Sequence, residues 1–331
     1  MSEPLLSIEK LKTEFHTQDG VVRAVDGVSL DISPGDTLGI VGESGCGKSV
    51  TQLSFLGLIP SPPGRIAGGR ALFKGRNLLE MKPSELRKIR GNDISVIFQD
   101  PMTSLNPFLR ISRQMTEGLE THRGMSRAEA LARAIDLLRK VGIPSPEKRV
   151  HSFPHQFSGG MRQRVMIAMA LACDPALLIA DEPTTALDVT IQAQILELLK
   201  EVQKDTGTAI IMITHDLGVV AGMCSRIAVM YAGRIVEKAA TPDLFARPLH
   251  PYTYALLQSI PRLDKTEKGR LFSISGLPPD LIHNPAGCNF QPRCPFAVQR
   301  CKTDDPQLRD SGPGREIACH IDLEETLRNS A

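Results

Sequence analysis

The sequence predicts an α/β fold, with a mostly parallel sheet, an antiparallel β-subdomain, a helical subdomain and a loop-rich C-terminal extension. Short apolar runs that suit buried strands, such as 209–213, occur between amphipathic helical stretches, which is the pattern of an α/β sheet. The segment 28–32 alternates apolar and polar residues, as a half-buried strand does. After residue 242, prolines interrupt nearly every possible helix and indicate loops.

The composition limits the class of protein. With 331 residues the chain has room for about two domains, and its 41% apolar content is enough for a large core. The net charge is only +2 and the basic residues are dispersed, so we expect no nucleic-acid partner. No apolar run approaches the roughly 18 residues of a membrane span. Because Met1–Pro4 lacks the features of a signal peptide, we expect a cytosolic chain that reaches a membrane only through a partner.

The first predicted element is an antiparallel β-unit at residues 5–32, in which Gln18–Gly20 forms a hairpin turn. Phe15 lies in this unit, upstream of a glycine-rich loop. The Phe15 ring could stack on a nucleotide base, and an ordinary core phenylalanine is the alternative.

The glycine-rich loop at 42–49 reads G-x-x-x-x-G-K-S, the pattern of a phosphate-binding loop. A strand is predicted directly before it and a helix directly after it, which is the context that the motif requires. The glycines let backbone N–H groups point at phosphate oxygens, and the helix N-terminus adds partial positive charge. Lys48 would reach the β- and γ-phosphates, and the Ser49 hydroxyl would bind Mg²⁺. A glycine-rich turn that matches by chance is the alternative.

Gln99 follows the predicted buried strand Ile94–Phe98. A polar amide at the end of a buried strand needs a partner, and in an open α/β sheet ligands bind at the carboxyl ends of the strands. Gln99 is therefore a candidate site residue, with a simple turn cap as the alternative.

The helical stretch at 101–172 contains two clear helix starts. Ser126 and Glu129 form a capping box, and Gly142 ends the helix that they begin. Ser158, followed by two glycines, opens the next helix and would make a second anion-binding site in principle. Ordinary N-capping by Ser158 is the alternative.

Two adjacent carboxylates, Asp181 and Glu182, follow the apolar strand Ala176–Ala180. Carboxylates at the end of a buried strand are costly unless they have a function. Asp181 is placed to hold Mg²⁺ through water, and Glu182 to orient or deprotonate an attacking water molecule. Chance placement is the alternative, and the phosphate-binding loop upstream argues against it.

The next predicted helix begins at Asp188 and carries its apolar residues on one face. The strand after it, Ala209–Ile213, leads to His215. This histidine could hydrogen-bond a γ-phosphate, or it could be a capping or packed histidine. Two short strands joined by the turn Tyr231–Gly233 close the core.

The C-terminal extension holds four of the seven cysteines and too few apolar residues for a core of its own. In a reducing compartment, cysteines indicate metal binding or packing more than disulfides. The four are Cys288, Cys294, Cys301 and Cys319. Their spacing is longer than in common zinc knuckles, so the residues leave a [4Fe–4S] cluster and a tetrahedral zinc open, with His320 as a possible substitute ligand.

Over residues 5–240 the chain resembles the ATP-binding-cassette (ABC) ATPases, because these signals occur in the order and spacing of that family. The stretch 42–49 matches Walker A, Gln99 the Q-loop, Leu177–Asp181 Walker B with Glu182 as the catalytic glutamate, Ala186–Asp188 the D-loop, and His215 the switch histidine. The family signature, usually L-S-G-G-Q, has Phe157 and Met161 as variants here and comprises Ser158, Gly159, Gly160, Met161 and Gln163.

The resemblance implies a P-loop ATPase core that is competent to hydrolyse ATP. It assigns catalytic roles to Lys48, Gln99, Glu182 and His215, and Mg²⁺ binding to Ser49, Gln99 and Asp181. It assigns ATP binding to Phe15, Gly42, Glu43, Ser44, Gly45, Cys46, Gly47, Lys48, Ser49 and Val50, and a D-loop role to Asp188.

The resemblance narrows at two further places. The stretches 99–107 and His250–Thr253 look like the dipeptide/oligopeptide/nickel importer branch of the family. The four cysteines are similar to a set that binds a [4Fe–4S] cluster in that branch. We therefore expect an ABC nucleotide-binding domain at 1–244, with its helical subdomain at about 101–172, and an oligopeptide-transporter-type extension at 245–331.

The resemblance implies a peripheral subunit on the cytoplasmic face of the inner membrane that hydrolyses ATP to energise the import of di- or oligopeptides. The expected partners are a second, non-identical cassette ATPase, two membrane permease subunits and, indirectly, an extracytoplasmic substrate-binding protein. The two cassettes would face head to tail, so that each signature acts on the nucleotide of the partner. The alternatives are nickel or another cargo, or a non-transport cassette ATPase. The cysteine segment is either a structural staple or a redox sensor.

Overall fold

The computed structural model describes residues 3–100, 104–184, 188–260 and 274–330. The chain divides into two compact units. The first unit comprises Met1–Leu5, Ile32–Thr37 and Glu80–Met212, and the second comprises Leu6–Asp31, Leu38–Leu79 and Ile213–Ala331.

The strands and helices of the described residues follow one another in both units. The strands are β1 (Leu6–Thr17), β2 (Gly20–Ile32), β3 (Thr37–Val41), β4 (Gly64–Phe73), β5 (Arg76–Asn77), β6 (Ile94–Ile97), β7 (Leu177–Asp181), β8 (Ala209–Thr214), β9 (Arg226–Tyr231), β10 (Arg234–Ala240), β11 (Arg309–Asp310) and β12 (Glu316–Ile317). The helices are α1 (Lys48–Phe55), α2 (Pro83–Ile89), α3 (Ile111–Arg123), α4 (Arg127–Lys140), α5 (Pro146–Arg149), α6 (Gly159–Leu171), α7 (Val189–Thr206), α8 (Leu217–Met223), α9 (Thr241–Ala246), α10 (Pro251–Gln258), α11 (Arg300–Thr303) and α12 (Leu323–Ser330).

The second unit contains a four-stranded sheet in the order β2-β1-β4-β5, in which β1 and β2 form the antiparallel β-unit predicted at residues 5–32. β1 and β2 are joined by the two-residue turn Gln18–Asp19, and only antiparallel strands can be joined so tightly. β1 also pairs antiparallel with β4, from Leu6 opposite Phe73 to Phe15 opposite Gly64. The alternating burial along these strands places one face on the core.

A second group of strands in this unit follows the order β11-β12-β10-β9-β3. β3 and β9 are parallel, whereas β10 pairs antiparallel with both β9 and β12. The sheet is therefore mixed, since the chain after β9 returns through hairpins and adds antiparallel strands. The C-terminal extension supplies β11 and β12, with Ile317 opposite Glu237, so its backbone is built into this sheet.

The first unit combines the strands β6, β7 and β8 with the helices α2 to α7. β6 and β7 are parallel, with Ile94 opposite Leu177 and Ile97 opposite Ala180, and all four side chains are buried. Helix α4 packs against α3 and α6 through buried apolar residues such as Leu138. These contacts form the predicted helical stretch.

The predicted helix ends of this unit are confirmed. Ser126 and Glu129 form a capping box at the start of α4, and Gly142 follows the end of that helix with a left-handed backbone. The Asp188 carboxylate accepts a hydrogen bond from the Ile191 N–H at the start of α7. Such caps satisfy N–H groups that have no partner within the helix.

In the part of the chain that the structure describes, we find no helix with both the length and the apolar character that a membrane crossing requires.

Glu237 fastens the start of the C-terminal extension to β10. Its side chain is fully buried and accepts hydrogen bonds from the backbone N–H groups of Leu249 and His250, each at 2.9 Å. The Arg315 guanidinium contacts the same carboxylate at 3.3 Å. One buried acid therefore pairs with two backbone donors and one cation.

We expect Glu237→Ala to lower the free energy of unfolding by about 3 kcal/mol, because it leaves the backbone N–H groups of Leu249 and His250 without this acceptor and Arg315 without its buried counter-ion. Urea unfolding followed by circular dichroism measures the change. The control is Glu197→Gln, whose side chain is 63% exposed and pairs with Lys200 at the surface. Equal urea midpoints for the two variants would contradict this assignment.

Candidate functional site

The phosphate-binding loop has the predicted strand–loop–helix context, since β3 ends at Val41 and α1 begins at Lys48. Gly47, at the N-terminus of α1, has a left-handed backbone with φ of 103°. A Cβ on Gly47 would lie 2.2 Å from the carbonyl oxygen of Ala24, and a Cβ on Gly42 would lie 2.1 Å from that of Met230. Side chains are excluded at both positions, so the loop requires its glycines.

Lys48 is folded across this loop. Its side chain is buried, and its Nζ donates hydrogen bonds to the carbonyl oxygens of Gly42 at 2.8 Å and of Glu43 at 3.0 Å. Burial raises the pKa of the neighbouring Cys46 thiol, with the Lys48 charge acting in the opposite direction. A buried cation and a helix N-terminus thus occupy one loop, which suits an anionic phosphate group.

The two strand ends of the first unit bring two predicted residues together. Because β6 and β7 are parallel neighbours, their carboxyl ends meet at one edge. There the Gln99 Nε2 donates a hydrogen bond to the Glu182 Oε2 at 2.8 Å. Asp181, one residue before Glu182, is buried.

Glu182 itself has a left-handed backbone with φ of 48°. For a residue with a side chain this conformation costs on the order of 1–3 kcal/mol, and it occurs where the surrounding structure enforces it. The strain redirects the chain at the end of β7 and turns the Glu182 carboxylate toward Gln99. The base and magnesium roles of these residues stay predictions.

The signature residues open helix α6, as predicted. The Ser158 hydroxyl caps the helix by accepting from the Met161 N–H at 3.4 Å. A Cβ on Gly159 would meet no atom within 4 Å, so the helix start is open at this point. Gln163 is different, because its side chain is only 2% exposed and is directed into the unit. The capping role of Ser158 and a phosphate-binding role are compatible.

The remaining predicted positions divide between the units. In the second unit, Phe15 is half-buried on β1 and His215 is exposed just after β8, while Asp216 caps α8. In the first unit, Asp188 caps α7. Two stretches named above, Pro101–Thr103 and the D-loop residues Ala186 and Leu187, lie outside the described residues. Base stacking by Phe15 and phosphate contact by His215 stay predictions.

The four cysteines of the C-terminal extension lie in the second unit. Cys301 and Cys319 are buried, Cys288 and Cys294 are partly exposed, and the Cys288 N–H donates to the Cys301 carbonyl oxygen at 2.9 Å. Burial raises the pKa of Cys294 to about 11 and that of Cys319 to about 12, and the charges of neighbouring cysteines contribute to both shifts. The thiols are thus close enough to influence one another.

These thiols nevertheless do not form a recognisable metal centre. Within the described ranges, no three His, Cys, Asp or Glu side chains converge as ligands of one ion. His320, the possible substitute ligand, has its Nε2 at 2.8 Å from the Asp304 carbonyl oxygen. The structure therefore gives no support to the predicted [4Fe–4S] cluster or to the zinc alternative.

Two side chains that contact the phosphate-binding loop were not assigned to it from the sequence. The Tyr252 hydroxyl accepts a hydrogen bond from the Glu43 N–H at 2.8 Å, and the Arg293 guanidinium pairs with the Glu43 carboxylate at 2.6 Å. Tyr252 stood inside the His250–Thr253 motif, which could have directed attention to it. Arg293 carries no sequence signal, because 250 residues separate it from its partner.

Family models match two parts of the chain. Residues 25–185 match the family described as ABC transporter, and residues 236–301 match the oligopeptide/dipeptide transporter C-terminal region.

Solved structures of ATP-binding cassettes share the fold of this chain. A dimeric ATP-binding cassette with bound ADP and phosphate has a TM-score of 0.64 at 28% identity, covering 71% of this chain and 98% of its own. A CbiO1 subunit from Clostridium perfringens has a TM-score of 0.62 at 29% identity, covering 74% and 92%.

Curated relatives are similar over nearly the whole chain. A probable peptide ABC transporter ATP-binding protein of Sinorhizobium fredii is 54% identical, covering 95% of this chain and 94% of the relative. The oligopeptide transport ATP-binding protein OppD of Salmonella typhimurium is 53% identical, covering 98% and 95%. The dipeptide transport ATP-binding protein DppD of Bacillus subtilis is 54% identical, covering 96% and 95%. The resemblance is confirmed: this chain belongs to the ABC transporter ATPases, in the branch that carries the oligopeptide/dipeptide transporter C-terminal region.

Proposed function

We propose that this chain is the ATP-hydrolysing subunit that energises the import of di- or oligopeptides through a membrane ABC transporter. One observation carries the proposal: relatives that are named for oligopeptide and dipeptide transport match more than nine-tenths of the chain, including its C-terminal region. The sequence contains every residue to which a role in ATP hydrolysis is assigned here: the phosphate-binding loop, Gln99, Asp181, Glu182 and His215.

The nucleotide would bind at the loop described above. Loop N–H groups and the Lys48 ammonium hold the β- and γ-phosphates, and Phe15 stacks on the base. The glycines at 42 and 47 support this role. Backbone carbonyls fill the space that a Cβ would need at both positions, so only glycine allows the loop to adopt this shape. Ser49, Gln99 and Asp181 would hold Mg²⁺, which would neutralise negative charge on the phosphates.

Glu182 is proposed as the general base that takes a proton from the attacking water. The Gln99 amide donates a hydrogen bond to one oxygen of the Glu182 carboxylate at 2.8 Å and so orients this carboxylate. His215, exposed after β8, would hydrogen-bond the γ-phosphate. The general base and its orienting amide thus lie at neighbouring strand ends.

By family analogy, a second cassette that is not identical in sequence to this one would complete each nucleotide site. Ser158, Gly159, Gly160 and Met161 would bind the partner's nucleotide, and Asp188 would lie at the interface of the pair. The open Gly159 and the capped start of the 13-residue helix α6 support that role. Gln163 is buried within the first unit, so this side chain is not on the surface that the proposed partner would contact.

A surface in the first unit suits a membrane subunit. Phe108 is 86% exposed and lines a cavity of about 430 Å³ together with Leu109, Phe153 and basic side chains. Exposed apolar side chains beside positive charge fit a cytoplasmic segment of a permease. The proposed complex has two permease subunits, a second ATPase and an external substrate-binding protein, and this chain lies at the cytoplasmic face of the inner membrane.

A mild-detergent pull-down from native membranes tests the function. We expect mass spectrometry to identify two polytopic permeases and a second cassette ATPase. We also expect the associated substrate-binding protein to bind peptides. Phe108→Ser should recover several-fold less permease, because it removes the exposed ring. Leu277→Ser, equally exposed at 87%, is the control and should recover the normal amount. Ribosomal proteins or nucleic acid in place of permeases would refute the transport role.

We expect Glu182→Gln to keep ATP binding and to lower the ATPase rate by at least about 100-fold, because an amide cannot accept the proton of the attacking water. Steady-state hydrolysis and nucleotide binding are measured on the same preparation. Glu197→Gln, a surface substitution, should retain the normal rate. Normal turnover by Glu182→Gln would show that another group is the base.

We also propose a [4Fe–4S] cluster on Cys288, Cys294, Cys301 and Cys319. The support is the presence of four thiols in one extension, three of which, Cys288, Cys294 and Cys319, have a pKa raised by burial, with a smaller contribution from the charges of neighbouring cysteines. Thiols with raised pKa values are protonated at neutral pH, and a bound cluster would supply the positive charge that favours thiolates. The group would connect segments that lack a large core.

Iron and acid-labile sulfide analysis after anaerobic purification tests the cluster. We expect about four of each per chain, and loss of both in Cys288→Ser and Cys319→Ser. Cys173→Ser, in the first unit, is the control and should keep the normal content. Stoichiometric zinc, or no metal at all, would rule the cluster out. A lower melting temperature with unchanged ATPase kinetics in the variants would indicate a staple, and reversible loss of activity on mild oxidation would indicate a sensor.

A further inference from the structure

Glu43, the second residue of the phosphate-binding loop, is held at all three of its polar groups. Its carbonyl oxygen accepts from the Lys48 Nζ at 3.0 Å, and its N–H donates to the Tyr252 Oη at 2.8 Å. Its carboxylate accepts two hydrogen bonds from the Arg293 guanidinium, at 2.6 and 3.0 Å. Only the first of these contacts comes from the loop and its helix.

Arg293 is built into this position. Its side chain is only 4% exposed, and each of its five N–H groups has a partner. Besides the two Glu43 oxygens, these partners are the carbonyl oxygens of Ser275 at 3.1 Å and Ile274 at 3.3 Å, and the Tyr231 hydroxyl at 3.4 Å. The hydrogen bonds to Glu43 are the main cause of the raised pKa of Arg293. A bidentate pair of this kind fixes both the position and the orientation of the carboxylate.

Tyr252 is held just as firmly. It is fully buried, and its ring packs against Tyr231 with centroids 4.6 Å apart and against Phe290 at 5.4 Å. Its N–H donates to the His250 Nδ1 at 3.0 Å, at the start of α10. Burial lowers the pKa of His250 to about 3, so the ring is neutral and Nδ1 accepts this hydrogen bond. The hydroxyl that meets the loop therefore has little freedom to move.

These contacts act on the backbone that binds phosphate. The Glu43 peptide groups lie directly before the loop residues whose N–H groups would bind phosphate in the proposed nucleotide site. Lys48, which reaches the phosphates, is oriented by the Glu43 carbonyl oxygen. Fixing Glu43 thus pre-orders both the loop and its lysine before nucleotide arrives, and pre-ordering lowers the entropy cost of binding.

We propose that Arg293 and Tyr252 are positioning residues for the phosphate-binding loop, so that the C-terminal extension sets the nucleotide affinity of the ATPase by holding Glu43. The proposal rests on the proposed ATP site and deepens it. Neither side chain touches the reacting atoms, so the expected effect is on binding and on KM for ATP more than on kcat.

Calorimetric titration of MgADP into the purified full chain provides the first test. We expect Arg293→Gln to weaken binding by roughly 5- to 150-fold, the usual range of coupling between linked sites. Arg293→Lys keeps the positive charge but loses the bidentate guanidinium, so its affinity for MgADP should lie between those of the wild type and Arg293→Gln. Tyr252→Phe removes only the hydroxyl and should weaken binding in the same direction. Arg300→Gln, whose 67% exposed side chain pairs with Asp304 in the same extension, is the control and should bind normally.

Steady-state kinetics then separates positioning from general stabilisation. We expect the KM for ATP to rise in Arg293→Gln while kcat changes by less than about threefold, since the loop can still close around saturating nucleotide. A lower melting temperature with unchanged affinity and KM would overturn the proposal. If Arg293→Gln fails to fold, Arg293→Lys and Tyr252→Phe carry the same test.

A double-mutant cycle identifies the route of the effect. If Arg293 acts through Glu43, adding Arg293→Gln to Glu43→Gln should weaken MgADP binding little further. Equal effects of Arg293→Gln in both backgrounds would show that it acts through other contacts, and would overturn the proposal. Lys48→Ala separates this inference from the function itself. Normal MgADP binding by Lys48→Ala would reject the proposed nucleotide site, whereas lost binding there with normal binding by Arg293→Gln rejects the positioning role alone.

Discussion

The close approach of backbone to backbone at the phosphate-binding loop is the constraint on which the second unit depends. Carbonyl oxygens of Met230 and Ala24 occupy the places where side chains of Gly42 and Gly47 would begin. The shape of the loop therefore depends on the positions of β9 and β2, the strands that supply those carbonyls. The parallel pairing of β3 with β9 provides this, because it aligns Val41 with Val229 directly before the loop.

In the first unit, a different constraint gathers the polar residues. Parallel pairing of β6 and β7 places the carboxyl ends of the two strands side by side. Gln99 and Glu182 meet there, although 83 positions separate them in the sequence. The left-handed backbone at Glu182 completes the arrangement at an energetic cost. Local strain at this point is tolerated because β7, the strand that precedes Glu182, is buried along its whole length.

The C-terminal extension is more closely tied to the ATPase core than its proline content suggests. Its short strands β11 and β12 extend the sheet at β10, and Glu237 of β10 accepts a hydrogen bond from the backbone N–H of Leu249. Its aromatic side chains Tyr252 and Phe290 pack on Tyr231. An extension with little core of its own is stabilised by the core of its neighbour. Arg293 of the same extension contacts Glu43, so a segment that its composition marks as an appendage touches the phosphate-binding loop directly.

The sequence by itself determined what depends on near neighbours in the chain. The strand–loop–helix around Lys48, the capping box at Ser126 and the cap at Asp188 follow from residue type and spacing, because their hydrogen bonds span only a few residues. The family assignment also followed from the order of the motifs. Only the tertiary structure decided the contacts of Glu43 with Tyr252 and Arg293, the burial of Gln163 and the arrangement of the four thiols. These depend on packing between segments up to 250 residues apart, and neither hydrophobic period nor spacing records such pairings.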